Sequence, residues 1–241
     1  FDGNTMFEWW QKSAKENGVE FIQNEVVGMK INKLGDKKIT QIKLKSGNNL
    51  SPGLVVNASG PYAKKTASMA NIQLPIEPRK RYSFIFRAQK PLDRDLPLTI
   101  DPSGIHMRSD GENYLAGCSP DIDTSVDNTD FDLDPNIWEN KIWPILANRV
   151  PQFESIKIIN SWIGHYAYNT FDQNAILGTH STVKNFIFAN GFSGHGLQQS
   201  PAIGKGISEL ITFGEYRFLD LSSLDYNRLV EDKPVRENSI I

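Results

Sequence analysis

The sequence is poor in several features that would assign it to a class at once. It has one cysteine among 241 residues, Cys118, which excludes an internal disulfide and indicates a reducing compartment. Its apolar runs are all too short to cross a bilayer, and no signal-peptide pattern opens the chain. With 26 basic and 28 acidic residues, interspersed, the net charge is −2, so nucleic acid is not an expected partner. The composition therefore indicates a globular protein of one large domain or two interleaved ones.

The most informative stretch is residues 186–211, FIFANGFSGHGLQQSPAIGKGISELI. It predicts a short strand at 186–189, a glycine-rich turn at 190–196 and a helix at 200–211, with Pro201 in its first turn. Three glycines let the backbone reach positive φ and approach a flat ligand, and the helix directs free N–H groups at the turn. Such a device stabilises negative charge, on a phosphate or on the N1–C2=O edge of a reduced flavin. The spacing is G-x-x-G-x-G and differs from the dinucleotide fingerprint, so a ligand-free strand-to-helix connection is the alternative interpretation.

The rest of the chain shows alternating helix and strand patterns. Asp2, Asn4 or Thr5 is expected to cap the first helix. After residue 213 the chain becomes polar and irregular, and is expected to wrap the surface and offer a partner contact. Between these ends, periodicity predicts helices at 5–17, 61–70 and 134–150, strands at 19–31, 39–45, 54–58, 82–86 and 156–168, and a hairpin at 99–118.

Two charged stretches receive structural interpretations. Arg79 and Lys80, in a run of three cations, are expected to form a solvated turn. The aspartate-rich stretch 121–134 has acidic residues at alternate positions like a calcium-binding loop, but Val126 replaces the required glycine and Asp132 replaces the terminal glutamate. We therefore expect a solvated loop and no metal site.

Cys118 is interpreted as a small strand residue rather than a reactive thiol.

Four stretches occur in the same order in a known superfamily. VVNASGPY at 55–62, the segment 75–86, the segment 162–178 and GFSGHG at 191–196 resemble the D-amino-acid oxidase / sarcosine oxidase / dimethylglycine dehydrogenase superfamily. Within it, RKRY at 79–82, YNTFDQN at 168–174 and the ENSII ending at 237–241 resemble the branch linked to assembly of respiratory complex I. The resemblance covers essentially the whole chain.

The resemblance implies an α+β to α/β fold. We expect the C-terminal part of a two-domain FAD fold of glutathione-reductase type, with a mixed or antiparallel substrate-domain sheet and flanking helices. Residues 1–74 and 171–215 would belong to the FAD-binding domain, 75–170 mainly to the substrate-binding domain, and 216–241 to a C-terminal tail. Family members open with a G-x-G-x-x-G unit, whereas this chain begins at Phe1. It is therefore expected to be a fragment that has half of an FAD site and is inactive alone.

The resemblance also implies which residues contact FAD. Non-covalent binding is expected over a covalent flavin bond through His165. Val27 would contact the adenine through its backbone, and Tyr62 stands where the family often has tryptophan. The expected FAD contacts are Val27, Ala58, Ser59, Gly60, Tyr62, Gly191, Phe192, Ser193, Gly194, His195, Gly196, Leu197 and Gln198.

On the substrate side the resemblance implies four residues, Tyr82, Arg108, His165 and Tyr168. Alternation places Arg108 on the same strand face as His106, where an arginine could bind a substrate carboxylate. A surface arginine on an edge hairpin is the alternative. The family's oxidases carry a lysine in the second hairpin strand, and none occurs between Asp110 and Cys118, which favours a dehydrogenase.

The leading hypothesis is an FAD-dependent dehydrogenase that oxidises the C–N bond of a secondary amine or amino acid to an imine. The alternative is a flavoprotein that serves as an assembly factor for respiratory complex I. The expected partners are a small amine or amino acid and an electron-acceptor or assembly protein. The expected location is the cytoplasm of a bacterium or the mitochondrial matrix.

Overall fold

The computed structural model describes residues 2–32 and 35–239, so Phe1, Ile240 and Ile241 of the terminal motifs lie outside the described residues. The strands are β1 (Val26–Ile31), β2 (Ile39–Leu44), β3 (Asn49–Leu50), β4 (Val55–Asn57), β5 (Ile76–Ala88), β6 (Thr99–Ile100), β7 (His106–Asp110), β8 (Asn113–Cys118), β9 (Ile156–Asn169), β10 (Ile176–Thr179) and β11 (Phe186–Asn190). The α-helices are α1 (Gly3–Glu16), α2 (Ala63–Ser68), α3 (Trp143–Arg149), α4 (Gly196–Phe213) and α5 (Asn227–Val230). Shorter helical turns cover Gly60–Tyr62, Trp138–Ile142, Pro151–Glu154 and Ser222–Leu224.

Two of the sheets are small. One has the order β1-β2-β3 and is antiparallel. The other has the order β10-β11-β4, and β4 pairs in parallel with β11, Val55 opposite Phe186. This pairing brings the strand before the 191–196 turn beside the strand before residues 58–60. Small residues after parallel strands leave space for a ligand at that edge of a sheet.

The largest sheet has five strands in the order β6-β7-β8-β5-β9, with antiparallel pairing throughout. Alternate residues of β5 point to one face and form a hydrophobic core with the helical segment at 138–149. Its largest aromatic members are Tyr82, Phe84, Phe86, Tyr114, Trp138 and Phe153. Mixed and antiparallel sheets with flanking helices confirm the expected fold class.

Most predicted elements are present, with instructive differences at their ends. Asp2 caps α1, because its carboxylate accepts the N–H groups of Asn4 and Thr5. The strand predicted at 19–31 starts only at Val26. Residues 19–25 have no regular structure, and their apolar side chains are exposed. An apolar run becomes a strand only where a neighbouring strand is available for pairing.

The two proline-containing helices also differ from the prediction. Helix α4 begins at Gly196, four residues early, so Pro201 lies inside it. Pro201 has no N–H for the carbonyl of Leu197, and the Ser200 hydroxyl donates to that oxygen instead, at 2.8 Å. The helix predicted from Asp134 begins with a wider π turn at Trp138–Ile142, immediately before Pro144 in α3. In the described part of the chain no helix has the length and apolarity needed to span a bilayer.

Part of the tail after residue 213 is buried and packed against the rest of the protein. Leu221 and Arg228 are buried, and the N–H of Tyr226 donates to the carbonyl of Leu177 in β10 at 2.7 Å. The tail is therefore packed against the β10-β11-β4 sheet, and the expectation of an irregular surface segment was wrong for residues 221–228.

Candidate functional site

The glycine-rich turn has the backbone conformation that its sequence predicts. Gly191 and Gly194 have φ of +69° and +102°, while Gly196 already belongs to α4. A Cβ at Gly194 would lie 2.5 Å from the Tyr166 ring, and one at Gly191 would lie 2.5 Å from Ile76. These glycines are therefore required by close packing against the five-stranded sheet as well as by their φ. The sequence pattern gave no sign of this second reason.

Ser193 fastens the turn to β9. It has a positive φ of +48° and is 1 % exposed. Its N–H donates to Ala167 O at 3.1 Å, and its hydroxyl oxygen accepts the N–H of Asn169 at 2.9 Å. Its side chain and its N–H are thus both used inside the protein, where they hold the turn against β9.

The first turn of α4 adds backbone N–H groups to this region. His195 is the N-cap residue and makes no capping hydrogen bond through its side chain. The N–H groups of Gly196, Leu197 and Gln198 follow directly, and the side chain of Leu197 is exposed. A helix start without a capping side chain can receive a negatively charged group.

The other predicted FAD contacts lie near a separate cavity. It has a volume of about 630 Å³, and Val26, Ser59 and Tyr62 are among its lining residues. Ser59 donates a hydrogen bond to Asn57 at 2.6 Å, and Gly60 has a φ of +54°. Val27 follows Val26 in β1 and is itself exposed, and Ala58 lies between β4 and Ser59. Of the described residues, those at 191–198 do not line this cavity, so the predicted FAD contacts form two groups.

Both groups fit a dinucleotide that carries a flavin. The cavity is partly apolar and has room for a planar ring, and the first turn of α4 presents backbone N–H groups. FAD has two flat ring systems joined by a pyrophosphate, so two separated groups of contacts suit it.

Strand register divides the four predicted substrate residues between opposite faces of the five-stranded sheet. Tyr168 pairs with Glu77, whereas His165 pairs with Lys80, whose neighbour on the same face is Tyr82. Paired residues share a face and neighbours along a strand alternate. Arg108 pairs with Leu115, which pairs with Ile85 of β5. Arg108 and Tyr168 therefore lie on one face, and Tyr82 and His165 lie on the other.

This placement corrects the expectation that the four residues line one cavity. Tyr82 is only 5 % exposed within the aromatic core, where burial raises the pKa of its hydroxyl. The Nε2 atom of His165 is 2.7 Å from Asp130 O, and its ring stacks on Phe131 at 4.4 Å between centroids. The structure thus brings His165 to the loop around residue 130 and away from the Tyr166 face that the turn contacts.

The prediction of a solvated turn at Arg79 and Lys80 was wrong. Both lie inside β5, and the side chains of Arg79, Lys80 and Arg81 are 18 %, 12 % and 8 % exposed. Carboxylates neutralise all three: Arg79 pairs with Glu77 at 3.1 Å and lies 3.6 Å from Asp123, and loop aspartates pair with the other two. The two Arg81 N–H groups donate to Asp123 at 2.9 and 3.0 Å, and Lys80 lies 2.5 Å from Asp130. In the described residues this loop forms no cluster suited to a metal ion.

The charged face of the sheet, defined here as Arg79, Arg81, His106, Tyr166 and Tyr168, joins the sheet to the turn. Arg81 lies 4.5 Å from the centre of the Tyr166 ring, and Arg79 lies 3.8 Å from that of Tyr168. Cations over aromatic faces are attracted to the ring electrons. Burial raises the pKa of the Tyr166 hydroxyl. Because the Tyr166 ring also contacts Gly194, the charged face adjoins the candidate flavin turn.

His106 is a functional candidate that sequence reasoning did not select. It pairs with Gly117, where a Cβ would lie only 2.7 Å from the His106 ring. Burial lowers the pKa of His106 below its usual value near 6.5, and the charges of Arg108 and Arg81 lower it further. Its Nδ1 atom is buried without a hydrogen-bond partner among the described residues. A neutral imidazole with an unmade hydrogen bond is typical of a site that receives a ligand. Its period-two spacing to Arg108 was the available signal.

Arg108 and Cys118 have simpler surroundings. Arg108 is on the charged side of the sheet, but its side chain is 42 % exposed and pairs with Asp110 at 2.8 Å. Arg81 is more deeply buried and contacts Tyr166, so it is better placed than Arg108 to face the turn. Cys118 is buried in β8, where burial raises its pKa to about 11.

Comparison with known proteins gives a family match over most of the chain. Residues 1–210 match the family described as DAO, FAD dependent oxidoreductase. FAD-dependent oxidoreductase domain-containing protein 1 of Xenopus laevis is 37 % identical, over 100 % of this chain and 54 % of that protein. Its Drosophila melanogaster homolog is 34 % identical, over 95 % of this chain and 50 % of that protein. The chain spans about half the length of the curated relatives it matches.

Solved structures show the same fold. L-proline dehydrogenase from P. horikoshii matches with a TM-score of 0.80 and 26 % identity, over 92 % of this chain and 58 % of that chain. Glycine oxidase from Geobacillus kaustophilus matches with a TM-score of 0.70 and 20 % identity, over 85 % of this chain and 52 % of that chain.

Proposed function

Because the chain belongs to the DAO family of FAD-dependent oxidoreductases, we propose that the whole protein is a dehydrogenase acting on a secondary amine or an amino acid. The observation that carries the proposal is the position of Tyr166, whose ring contacts both Gly194 of the turn and the Arg81 guanidinium. It brings a cationic, substrate-binding face next to a turn suited to a flavin.

Bound FAD would supply a hydride acceptor for the carbon next to the substrate nitrogen. The residues of this chain bind and orient. The backbone N–H groups of Gly196, Leu197 and Gln198, in the first turn of α4, would stabilise negative charge on the cofactor. Arg81 and Arg79 attract a carboxylate, because a guanidinium fork fits two carboxylate oxygens.

His106 acts on the substrate nitrogen in this proposal. Its lowered pKa keeps the imidazole neutral near pH 7, so one ring nitrogen can accept a hydrogen bond. An ammonium or a secondary amine donates such a bond. A neutral acceptor next to two arginines therefore suits a molecule that carries a carboxylate and an amine.

The absence of a lysine supports a dehydrogenase over an oxidase, and the names of similar proteins support small amino acids as substrates. No lysine lies between Asp110 and Cys118, and Leu115 opposes Arg108 in the register. The similar proteins named above are a dehydrogenase of L-proline and an oxidase of glycine, and a monomeric sarcosine oxidase from Bacillus is 24 % identical over 83 % of this chain.

The test is a visible absorption spectrum of the whole protein with FAD, before and after anaerobic addition of L-proline, sarcosine, glycine and uncharged secondary amines. The proposal expects two flavin bands that bleach with at least one amino acid. Flavin bands that bleach with no compound would refute the dehydrogenase. Absence of flavin from the whole protein after reconstitution would refute the flavin site.

One observation favours a second function. The fork of Arg81, the best carboxylate binder on the charged face, is already taken by Asp123. This pairing suits a flavoprotein that keeps FAD as a structural ligand and acts as an assembly factor for respiratory complex I. Such a protein does not need an Arg81 guanidinium that is open to a substrate. Stable flavin that never bleaches is the outcome that this alternative expects.

A further inference from the structure

The strongest contact on the charged face joins Arg81 to a carboxylate of the protein itself. Two Arg81 N–H groups donate to the two oxygens of Asp123, at 2.9 and 3.0 Å, and Arg79 lies 3.6 Å from the same carboxylate. Arg81 also donates a hydrogen bond to the backbone carbonyl oxygen of Lys80 at 2.7 Å. This is the bidentate geometry in which arginine binds a carboxylate ligand. Asp123 therefore stands where the carboxylate of an amino acid would bind.

Asp123 belongs to a loop that lies along the edge of β5. Strand β8 ends at Cys118, opposite Tyr82, so the earlier residues of β5 have no strand on that side within the described chain. The loop takes that place, and the N–H of Val126 donates to Pro78 O at 3.0 Å. Asp130, from the same loop, reaches Lys80 on the opposite face. Within the described chain the 121–127 segment pairs with no strand, and it is held by Asp123, by the Val126 N–H and by an ion pair of Asp121 with Lys141 at 2.7 Å. Residues 130–132 are held separately, by Lys80 and His165.

The two members of the pair differ in exposure. The side chain of Arg81 is 8 % exposed and that of Asp123 is 26 % exposed. The guanidinium also lies 4.5 Å from the centre of the Tyr166 ring, whereas the carboxylate belongs to a loop that is not part of the sheet. The aspartate is therefore the member that can leave.

We propose that Asp123 is an internal competitor for the substrate carboxylate, and that an anionic ligand binds the Arg81 guanidinium by displacing the 121–127 segment, while Arg79 keeps its bond to Glu77. The inference rests on the proposed function and names its substrate class, an α-amino acid with a free carboxylate. It also assigns Asp123 as a residue that sets affinity. An amine without a carboxylate would leave the Asp123–Arg81 pair intact and would bind independently of it.

The expected size of the effect follows from competition. If the fork is free in only a fraction of molecules, the apparent Kd of a carboxylate is the intrinsic Kd divided by that fraction. A fork that is free about one tenth of the time weakens a carboxylate ligand about tenfold. Replacing Asp123 by a neutral residue removes this factor for carboxylates alone.

The experiment uses isothermal titration calorimetry on the whole protein with FAD. The probes are pyrrole-2-carboxylate and its neutral isostere pyrrole-2-carboxamide, neither of which can be turned over as an amine substrate. The variants are Asp123→Asn, Asp123→Glu, which keeps the charge, and Asp130→Asn, which removes a carboxylate from the same loop on the other face of β5. Asp123→Ser replaces Asp123→Asn if the latter does not fold.

The inference expects Asp123→Asn to bind the carboxylate about tenfold more tightly and the carboxamide unchanged, while Asp123→Glu and Asp130→Asn match the wild type. Equal or weaker carboxylate binding in Asp123→Asn would overturn it. Equal tightening in Asp123→Asn and Asp130→Asn would also overturn it, since general charge or loop loosening would then be the cause. Failure of every form to bind the carboxylate would overturn it as well.

A second measurement needs no variant. Saturating pyrrole-2-carboxylate is expected to speed amide hydrogen exchange at residues 121–127 of the wild type, including Val126. Slower or unchanged exchange there would contradict displacement. Because neither measurement uses turnover, a flavin that never bleaches would refute the dehydrogenase alone, and unchanged binding with a bleaching flavin would refute this inference alone.

Discussion

Two arginine–aspartate pairs of nearly the same geometry lie in very different surroundings. Arg228 binds Asp172 at 2.7 and 3.0 Å, and Arg81 binds Asp123 at 2.9 and 3.0 Å. The side chains of the first pair are 5 % and 0 % exposed, against 8 % and 26 % in the second. Asp172 accepts further hydrogen bonds from Asn169 at 2.8 Å and from the Val235 N–H at 3.0 Å.

This difference shows what burial and full hydrogen bonding do to an ion pair. The Arg228–Asp172 pair joins the tail to Asn169, whose N–H in turn binds Ser193 of the turn, so it holds fixed structure together. The carboxylate of the Arg81–Asp123 pair remains partly in contact with solvent and can exchange its partner. The first pair therefore stabilises the fold, and the second is available for function.

The largest effect is expected from breaking the buried pair. Asp172→Ala leaves the Arg228 guanidinium buried without its carboxylate and should lower the free energy of unfolding by about 3–5 kcal/mol. Urea denaturation of the variant and the wild type measures the difference. Asp121→Ala, at an exposed partner of Lys141, is the control and should be near neutral. A loss below about 1 kcal/mol for Asp172→Ala would show that the Arg228–Asp172 pair does not stabilise the fold to this extent.

The next largest effect is expected where the turn meets the charged face. Gly194→Ala must adopt a positive φ and place its Cβ against Tyr166, which should cost about 2–4 kcal/mol and weaken FAD binding. Gly104→Ala is the matched control, because Gly104 also has a positive φ but open space around its Cα. It should cost about 1 kcal/mol and leave FAD binding unchanged. Thermal unfolding and FAD titration measure both, and equal effects of the two variants would contradict the packing argument.

A pH-dependent effect is expected from His106. Because its pKa is lower in the folded protein than in the unfolded chain, the unfolded chain binds more protons, and stability falls as the pH drops below about 6.5. The contribution is fully present above that pH and is lost towards the folded pKa.

His106→Gln should therefore flatten the fall in the free energy of unfolding between pH 7 and pH 5. His180 has a pKa lowered by burial in the same direction, so His180→Gln is the comparison that separates the two histidines. An unchanged pH slope in His106→Gln would mean that the imidazole is protonated alike in both states.

The smallest effect on stability is expected at the second pair. Asp123→Asn keeps an acceptor oxygen for Arg81, which also keeps its contacts with Tyr166 and Lys80 O, so the loss should stay within about 1 kcal/mol. Urea denaturation beside Asp172→Ala makes the comparison direct. A loss as large as that of Asp172→Ala would remove the distinction between the two pairs.

Local patterns predicted much of this molecule. Alternation located β7, β8 and β9, and the glycine spacing located the turn that precedes α4. The same patterns missed the burial of Arg79 and Arg81, because their partner Asp123 lies far along the chain in a stretch without periodicity. Asp172 and Arg228 are likewise distant in sequence, so the packed tail could not be predicted.

The faces of the large sheet show most clearly where sequence reasoning stops. Similarity to a family motif fixes the position of His165 along the chain, but its face depends on the register between β9 and β5. A shift of one residue moves every side chain to the opposite face. Family similarity therefore predicts His165 and Tyr82 beside the substrate without regard to the face on which the register places them.

The most direct test compares these two histidines in the whole protein with FAD. Anaerobic stopped-flow absorbance gives the rate of flavin bleaching by the best amine for the wild type, His106→Gln and His165→Gln. If the charged face is the reacting face, His106→Gln slows bleaching by about 100-fold and His165→Gln leaves it within about twofold. Slow bleaching in His165→Gln, with His106→Gln near the wild-type rate, would contradict this placement of the site.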